Sequence, residues 1–157
     1  MKPKAKRNTE QAASRAAVIL YTIAAFISVA GLAVSTYLAV IAVTGDTAAC
    51  GGSTGCSEVL GSGYAKIAGM PVAFLGVAGY FAAFSFAILA GFGYVRARGL
   101  LALTVWTMFA MTLWLLYVQA FLLHSFCRYC LFSAAFIFLL AGLVVASPAA
   151  SGSEDGE

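Results

Sequence analysis

Apolar side chains fill four long stretches of this chain, and polar ones are pushed into the gaps and ends. The first runs from Ala16 to Thr44, 29 residues without a charge. Three more follow, at about 70–94, 100–123 and 127–147. An apolar stretch beyond about 18 residues is long enough to cross a bilayer. Lipid offers the backbone no hydrogen-bond partner but itself, so each stretch is predicted to be a helix. The first, at about 1.5 Å per residue, is longer than the hydrocarbon layer and must tilt or protrude. Ala24, Ser28, Gly31 and Ser35 recur at helical spacing along it, and Gly76 and Gly79 do so in the second. Small residues so placed let helices approach closely in lipid, which predicts a packing seam.

The gaps differ in kind. Residues 1–15 carry Lys2, Lys4, Lys6, Arg7 and Arg15 against Glu10, a polar tail. The apolar run behind it is too long for the 7–15-residue core of a cleavable signal peptide. Thr47-Ala48-Ala49-Cys50 faintly resembles a lipidation site, and the same oversized run argues against processing there. Residues 45–68 hold Cys50-Gly51-Gly52-Ser53-Thr54-Gly55-Cys56, too rich in glycine for a stable helix, so a mobile loop bearing two thiols is expected. Gly69-Met70-Pro71 opens the second stretch, with proline tolerated in a first helical turn. Val95-Arg96-Ala97-Arg98-Gly99 is expected as a short basic turn. His124-Ser125-Phe126 leads into Cys127-Arg128-Tyr129-Cys130, the start of the last stretch, and residues 148–157 form an acidic tail.

Composition sharpens this. The chain is 62% hydrophobic and 10% charged, against about 25% charged in soluble domains. Its net charge of +3 comes with no basic face of the kind nucleic-acid binding requires. The expected fold is therefore all-α and integral to the membrane, a four-helix bundle spanning 16–147 with an outer loop at 45–68. Basic residues mark cytoplasmic segments. The first tail and the 95–99 turn hold seven of the nine Lys and Arg, while the opposite loops hold only Lys66 and Arg128. Both termini are thus expected in the cytoplasm, with all four cysteines on the outer, periplasmic side of the inner membrane. That is the face on which disulfides form and persist.

Cys127 and Cys130, three apart at a helix start, share a face. A helix N-terminus carries partial positive charge and Arg128 a full one, and both favour thiolate. Cys130 lies further into the helix, nearer to where a hydrophobic acceptor would reach. Cys50 and Cys56 form a mobile pair suited to exchange through mixed disulfides. One pair would face a soluble partner and the other a membrane oxidant. Two alternatives stay open: a zinc site, since C-x-x-C is a common half-site, and structural disulfides in a four-span protein with no redox role. The first is disfavoured by the flexible spacing of Cys50 and Cys56, and no metal is expected.

Two loop cysteines after the first span, Ser62 six residues past the second, Gly69-Met70-Pro71-Val72-Ala73-Phe74-Leu75-Gly76 opening the second span, and Cys127-Arg128-Tyr129-Cys130 opening the last together resemble the vitamin K epoxide reductase family. The likeness is to its bacterial members and covers about 16–147. It implies that electrons pass from a periplasmic thioredoxin-like protein to a quinone (ubiquinone or menaquinone, with vitamin K possible), supporting disulfide formation. By position, Cys50 would exchange with the partner, Cys56 with Cys127, and Cys130 would meet the quinone, with Ser62 lining its pocket. No thioredoxin-like domain follows the last span here, so a separate partner protein is expected. Animal members place a tyrosine four residues past the C-x-x-C, where this chain has Ala134, so ordinary quinone reduction is favoured over epoxide reduction. The DsbB family, with similar chemistry, carries its two pairs in the reverse order.

Other residues are weaker candidates. Leu60, Phe74, Leu75 and Leu115 lie at a depth to wall an apolar quinone pocket. Gln119 either bonds across helices or donates to a quinone carbonyl. His124 is expected to be a solvated boundary histidine, and Trp106, Trp114 and Tyr117 to pack against neighbouring helices.

Overall fold

The computed structural model describes residues 3–45, 59, 63, 66–67, 69–124 and 126–147. Four helices dominate: α1 (Pro3–Thr44), α2 (Val72–Gly91), α3 (Val95–Tyr117) and α4 (Arg128–Ala146). Before α2, two short strands, β1 (Lys66–Ile67) and β2 (Met70–Pro71), pair antiparallel. Among the described residues, four segments are long and apolar enough to cross a membrane: Arg15–Thr44, Val72–Gly91, Val95–Leu123 (α3 with the helical turn that continues it) and Arg128–Ala146.

Three local features depart from the sequence reading. α1 already begins at Pro3, so residues 3–15 continue the helix. Pro71 is not in the first turn of α2. It is the residue just ahead of it, extended at φ −58° and ψ 133°, where its ring blocks nothing and its missing N–H is spent in β2. The basic pentapeptide 95–99 is the first turn of α3, not a loop. The reversal is Phe92–Tyr94, made by Gly93 at φ 94°, a conformation that favours glycine.

Packing follows a ring: α1 against α2, α2 against α3, α3 against α4, and α4 back on α1. One end of the bundle gathers Leu38, Ile41, Ala73, Leu123 and Cys127. The other gathers Tyr21, Ala90, Ala97 and Val144, so successive helices run antiparallel. At this second end the Arg98 guanidinium lies over the Tyr21 ring, 5.8 Å from its centre, a cation–π contact. Arg15 and Arg96 belong to the same end.

The small-residue seam is real. Ala24, Ser28 and Ser35 are buried at 3%, 0% and 3% exposure. Gly31 is the tightest point: a Cβ there would fall on the Tyr80 ring. Gly79 gives similar room to Met108 of α3, whose sulfur would lie 2.8 Å from an added Cβ. Replacing Gly31 with Ala should destabilise the protein by about 1–3 kcal/mol through overpacking. Gly142→Ala, where an added Cβ meets nothing within 4 Å, should be neutral or slightly stabilising. Thermal unfolding in detergent reads the contrast, and equal melting temperatures for the two variants would contradict this packing.

Candidate functional site

The site is built where α3 gives way to α4. After Tyr117 the helix widens into a π-helical turn, Val118–Leu123, which closes on His124 at φ 49° with its N–H bonded to the Gln119 carbonyl. A π turn adds a residue to the ring and so re-aims side chains relative to the helix below; such turns concentrate at functional sites. Here Gln119 is directed into the bundle, at 1% exposure. Its Oε1 accepts the backbone N–H of Cys127 at 3.1 Å. Cys127 caps α4 with an extended backbone, and its carbonyl accepts the N–H of Leu131 at 3.1 Å, the first α-helical bond of α4. Because Cys127 is the donor, the Gln119 oxygen must be the acceptor, which fixes the amide's orientation. Its NH2 group is then left for another acceptor, and no described residue supplies one.

The two cysteines, both free thiols, face different surroundings. Cys127 is fully buried among Leu38, Ile41 and Val59. Cys130, one turn on, forms part of the wall of a cavity. The Cys130 thiol hydrogen-bonds the Cys127 sulfur and, against burial, pulls its pKa from 9.0 down to about 7. The backbone N–H groups of Cys130 and Tyr129 add to this in smaller measure. No side chain makes a full capping bond in this turn, so those N–H groups remain directed at the sulfur's charge. Tyr129, between the cysteines, packs its ring on Tyr37 of α1 at 5.2 Å, tying the motif to the first helix.

The cavity measures about 520 Å³ and is bounded by all four helices. Its walls are largely apolar, with Leu75, Met108, Leu115 and Ile137 among them. Ser35, Tyr80, Gln119, Cys130 and Ser133 supply polar atoms. Size and lining match those of small-molecule sites, apolar with a few placed polar groups. Tyr80, at 0% exposure, crosses the bundle: its hydroxyl donates to the Ser133 carbonyl at 2.9 Å and lies 3.0 Å from the Ser133 Oγ. Gly31 provides the space its ring occupies.

Of the residues picked from sequence, Leu75, Leu115, Gln119 and Cys130 line this cavity. Phe74 does not. It is 45% exposed and off the cavity wall, whereas Leu75, about 100° further round the helix and itself 51% exposed, contributes at the cavity's edge. Cys50, Cys56, Leu60 and Ser62 lie outside the described residues. His124 is exposed. Trp114 and Tyr117 stack along the outside of α3, not against a neighbour, with Tyr117 continuing to Phe121. Trp106 meets Phe109, which in turn meets Phe138 of α4. Sequence reasoning missed Ser35, Tyr80 and Ser133 as cavity residues. Tyr80 carried a signal: a tyrosine far from the membrane boundary has left its usual belt and needs a buried partner for its hydroxyl.

The family model described as Vitamin K epoxide reductase family matches residues 22–145. No curated protein matches the chain.

The thiol geometry sets a pH dependence. With Cys50 and Cys56 replaced by Ser, the ultraviolet absorbance of thiolate should rise through a midpoint near pH 7, since Cys127 is neutral below its pKa and charged above it. Cys130→Ala removes the principal hydrogen bond and should move the midpoint upward. A midpoint unchanged by Cys130→Ala would contradict the coupling of the two sulfurs.

Proposed function

The chain belongs to the vitamin K epoxide reductase family, and from that premise we propose that it carries electrons from a thioredoxin-like dithiol protein through Cys50/Cys56 and then Cys127/Cys130 to a quinone. Membership itself makes it a multi-pass membrane oxidoreductase that links thiols to a quinone. The finer reading rests on one observation above all: Cys130 opens onto an apolar cavity among the four helices while Cys127 is turned away from it. Val59, packed with Cys127, is three residues past Cys56, and a chain segment of that length spans no more than about 10 Å. By chain length alone, Cys56 can reach Cys127.

In this reading the partner's thiolate attacks Cys50, opening the Cys50–Cys56 disulfide and releasing Cys56 as thiolate. The partner's second thiol then resolves the mixed disulfide and leaves oxidised, with Cys50 and Cys56 both reduced. Cys56 attacks Cys127, breaking the Cys127–Cys130 disulfide and freeing the Cys130 thiolate into the cavity wall. Cys50 attacks Cys56, restoring the loop disulfide and releasing Cys127. Once the freed Cys130 sulfur has taken up a proton, its S–H donates to Cys127 and makes that sulfur a good leaving group at this step. A bound quinone supplies the sink for two electrons and two protons. Cys127 and Cys130 return to the disulfide as they are oxidised.

The cavity fits the head group of such a molecule. It is apolar enough to draw a lipid-soluble ring from the bilayer, and Gln119 presents amide hydrogens to a carbonyl oxygen while its own oxygen holds Cys127. Ubiquinone and menaquinone both suit this chemistry, as does the quinone form of vitamin K. Quinone reduction is proposed over epoxide opening, because Ala134 brings no hydroxyl to the cavity wall. Arg15, Arg96 and Arg98 gather at the end remote from Cys127, which by the positive-inside tendency supports cytoplasmic termini and cysteines at the outer face of the inner membrane.

Two variants separate the roles. Cys130→Ala should lose quinone reduction entirely while the loop disulfide still exchanges with a reduced dithiol protein; continued turnover would mean that another sulfur delivers the electrons. A partner lacking its second cysteine should attack the Cys50–Cys56 disulfide and accumulate as a mixed disulfide on Cys50, visible on non-reducing gels, whereas Cys56→Ser, with no loop disulfide to open, should form none. If the parent chain forms no such adduct, the order of transfer is different.

A further inference from the structure

The serines and threonines whose side chains are described nearly all hydrogen-bond within the protein. Thr22, Ser28, Thr36, Thr44, Ser85, Thr104, Thr107 and Thr112 each donate to the carbonyl four residues back. Ser147 donates to Val144, and Ser133 pairs with Tyr80. Among them Ser35 alone has no hydrogen bond to any described residue, although it is only 3% exposed. Its oxygen is not sealed by protein but opens on a largely apolar cavity, where a hydroxyl without a protein partner is poised to donate to a polar atom that enters. Ser35 lines the cavity, so the missing partner is a group that the cavity receives.

Its surroundings narrow that partner. Ser35 faces Gly76 across the α1–α2 seam, so closely that a Cβ on Gly76 would sit 3.0 Å from the Ser35 Oγ. Glycine at 76 leaves the oxygen open to the cavity. Leu38, one turn along α1 from Ser35, belongs to the cluster that packs on Cys127 and Cys130, so Ser35 lies about one turn from the level of the thiols. The other hydroxyls in the cavity have already placed their protons: Thr104, Thr107 and Thr112 on their own helix, Tyr80 on the Ser133 carbonyl. Among the described residues, Ser35 on α1 and the amide of Gln119, in the π turn that continues α3, are left as donors on opposite sides of the helix ring. A quinone head group offers two carbonyl oxygens at opposite ends of its ring, both acceptors only.

Building on the quinone reading above, we propose that Ser35 is a quinone-binding residue whose hydroxyl donates to one carbonyl oxygen of the head group, opposite the carbonyl that faces Gln119. The contact orients the ring between α1 and α3 beside Cys130. It also accounts for a serine without a protein partner where Gly76 crosses the seam.

The test uses the full-length protein in detergent with a short-chain ubiquinone as probe. In the parent, the carbonyl stretch of bound quinone in the infrared should lie below that in an apolar solvent. Ser35→Ala should return part of that shift and raise KM for the quinone about fivefold, the usual effect of one hydrogen bond, with kcat at saturating quinone within about twofold of the parent. Ser28→Ala, a buried serine of the same helix outside the cavity, should leave band and KM unchanged. If the parent binds and reduces the quinone but its carbonyl band is unshifted, or Ser35→Ala matches the parent in band and KM, the Ser35 assignment is wrong and the quinone reading stands. If the parent neither binds nor reduces the probe, the quinone reading fails and this inference with it.

Discussion

The hydrogen bond from the Cys127 backbone to the Gln119 side chain, 3.1 Å long and fully buried, holds the arrangement together. A membrane helix must break somewhere if a chain is to turn back, and at the break its backbone groups lose their partners. In this protein the break between α3 and α4 lies beside the cavity, where water cannot serve every orphan. The π-helical turn at Val118–Leu123 answers the first half of the problem by carrying the carbonyl of Gln119 to the His124 N–H. The side chain of the same residue answers the second half by taking the Cys127 N–H. One glutamine thus fixes both the end of one span and the first residue of the next, and with them the position of two sulfurs.

From that fixed point the division of labour between the cysteines follows. Helical spacing brings Cys127 and Cys130 to one face but at different depths and in different company. Cys127 is sealed among side chains of α1 and Val59, and Cys130 belongs to the cavity. Their hydrogen bond stabilises charge on Cys127, the sulfur that in the proposed relay must leave as thiolate. The cavity in turn depends on small residues elsewhere. Gly31 admits the Tyr80 ring, Gly79 accommodates Met108, and Gly76 leaves Ser35 uncovered. The packing seam and the binding site are therefore the same set of contacts seen from two sides.

Much of this was legible in the chain. Four apolar runs gave four spanning helices, and the C-x-x-C could be placed at the start of the last one because Arg128 and the preceding His124-Ser125-Phe126 interrupt the apolar pattern. The family could be recognised from the spacing of cysteines with Gly69-Met70-Pro71. What periodicity could not show was direction within a helix whose faces are all apolar. Phe74 and Leu75 are both hydrophobic and both exposed, yet only Leu75 borders the cavity. Tyr80 and Ser35 depend on partners that are far away in sequence, so neither stood out. The π turn has no compositional mark at all; it is visible only through the residue it re-aims, Gln119. The start of α3 was missed for a related reason: Arg96 and Arg98 read as loop residues, but at a membrane boundary long basic side chains can lie along the helix with their charges at its edge.

In the proposed relay, the Cys127/Cys130 pair and the cavity are together a complete quinone-reducing unit, needing the loop cysteines only for resupply. Single-turnover mixing tests this most directly. A protein with Cys50→Ser and Cys56→Ser, reduced beforehand and freed of reductant, would be mixed with a short-chain quinone while quinol formation and free thiols are followed together. One quinol should form for each Cys127/Cys130 pair, with both thiols consumed in step and no second turnover. Quinone left unreduced while both thiols persist would contradict it.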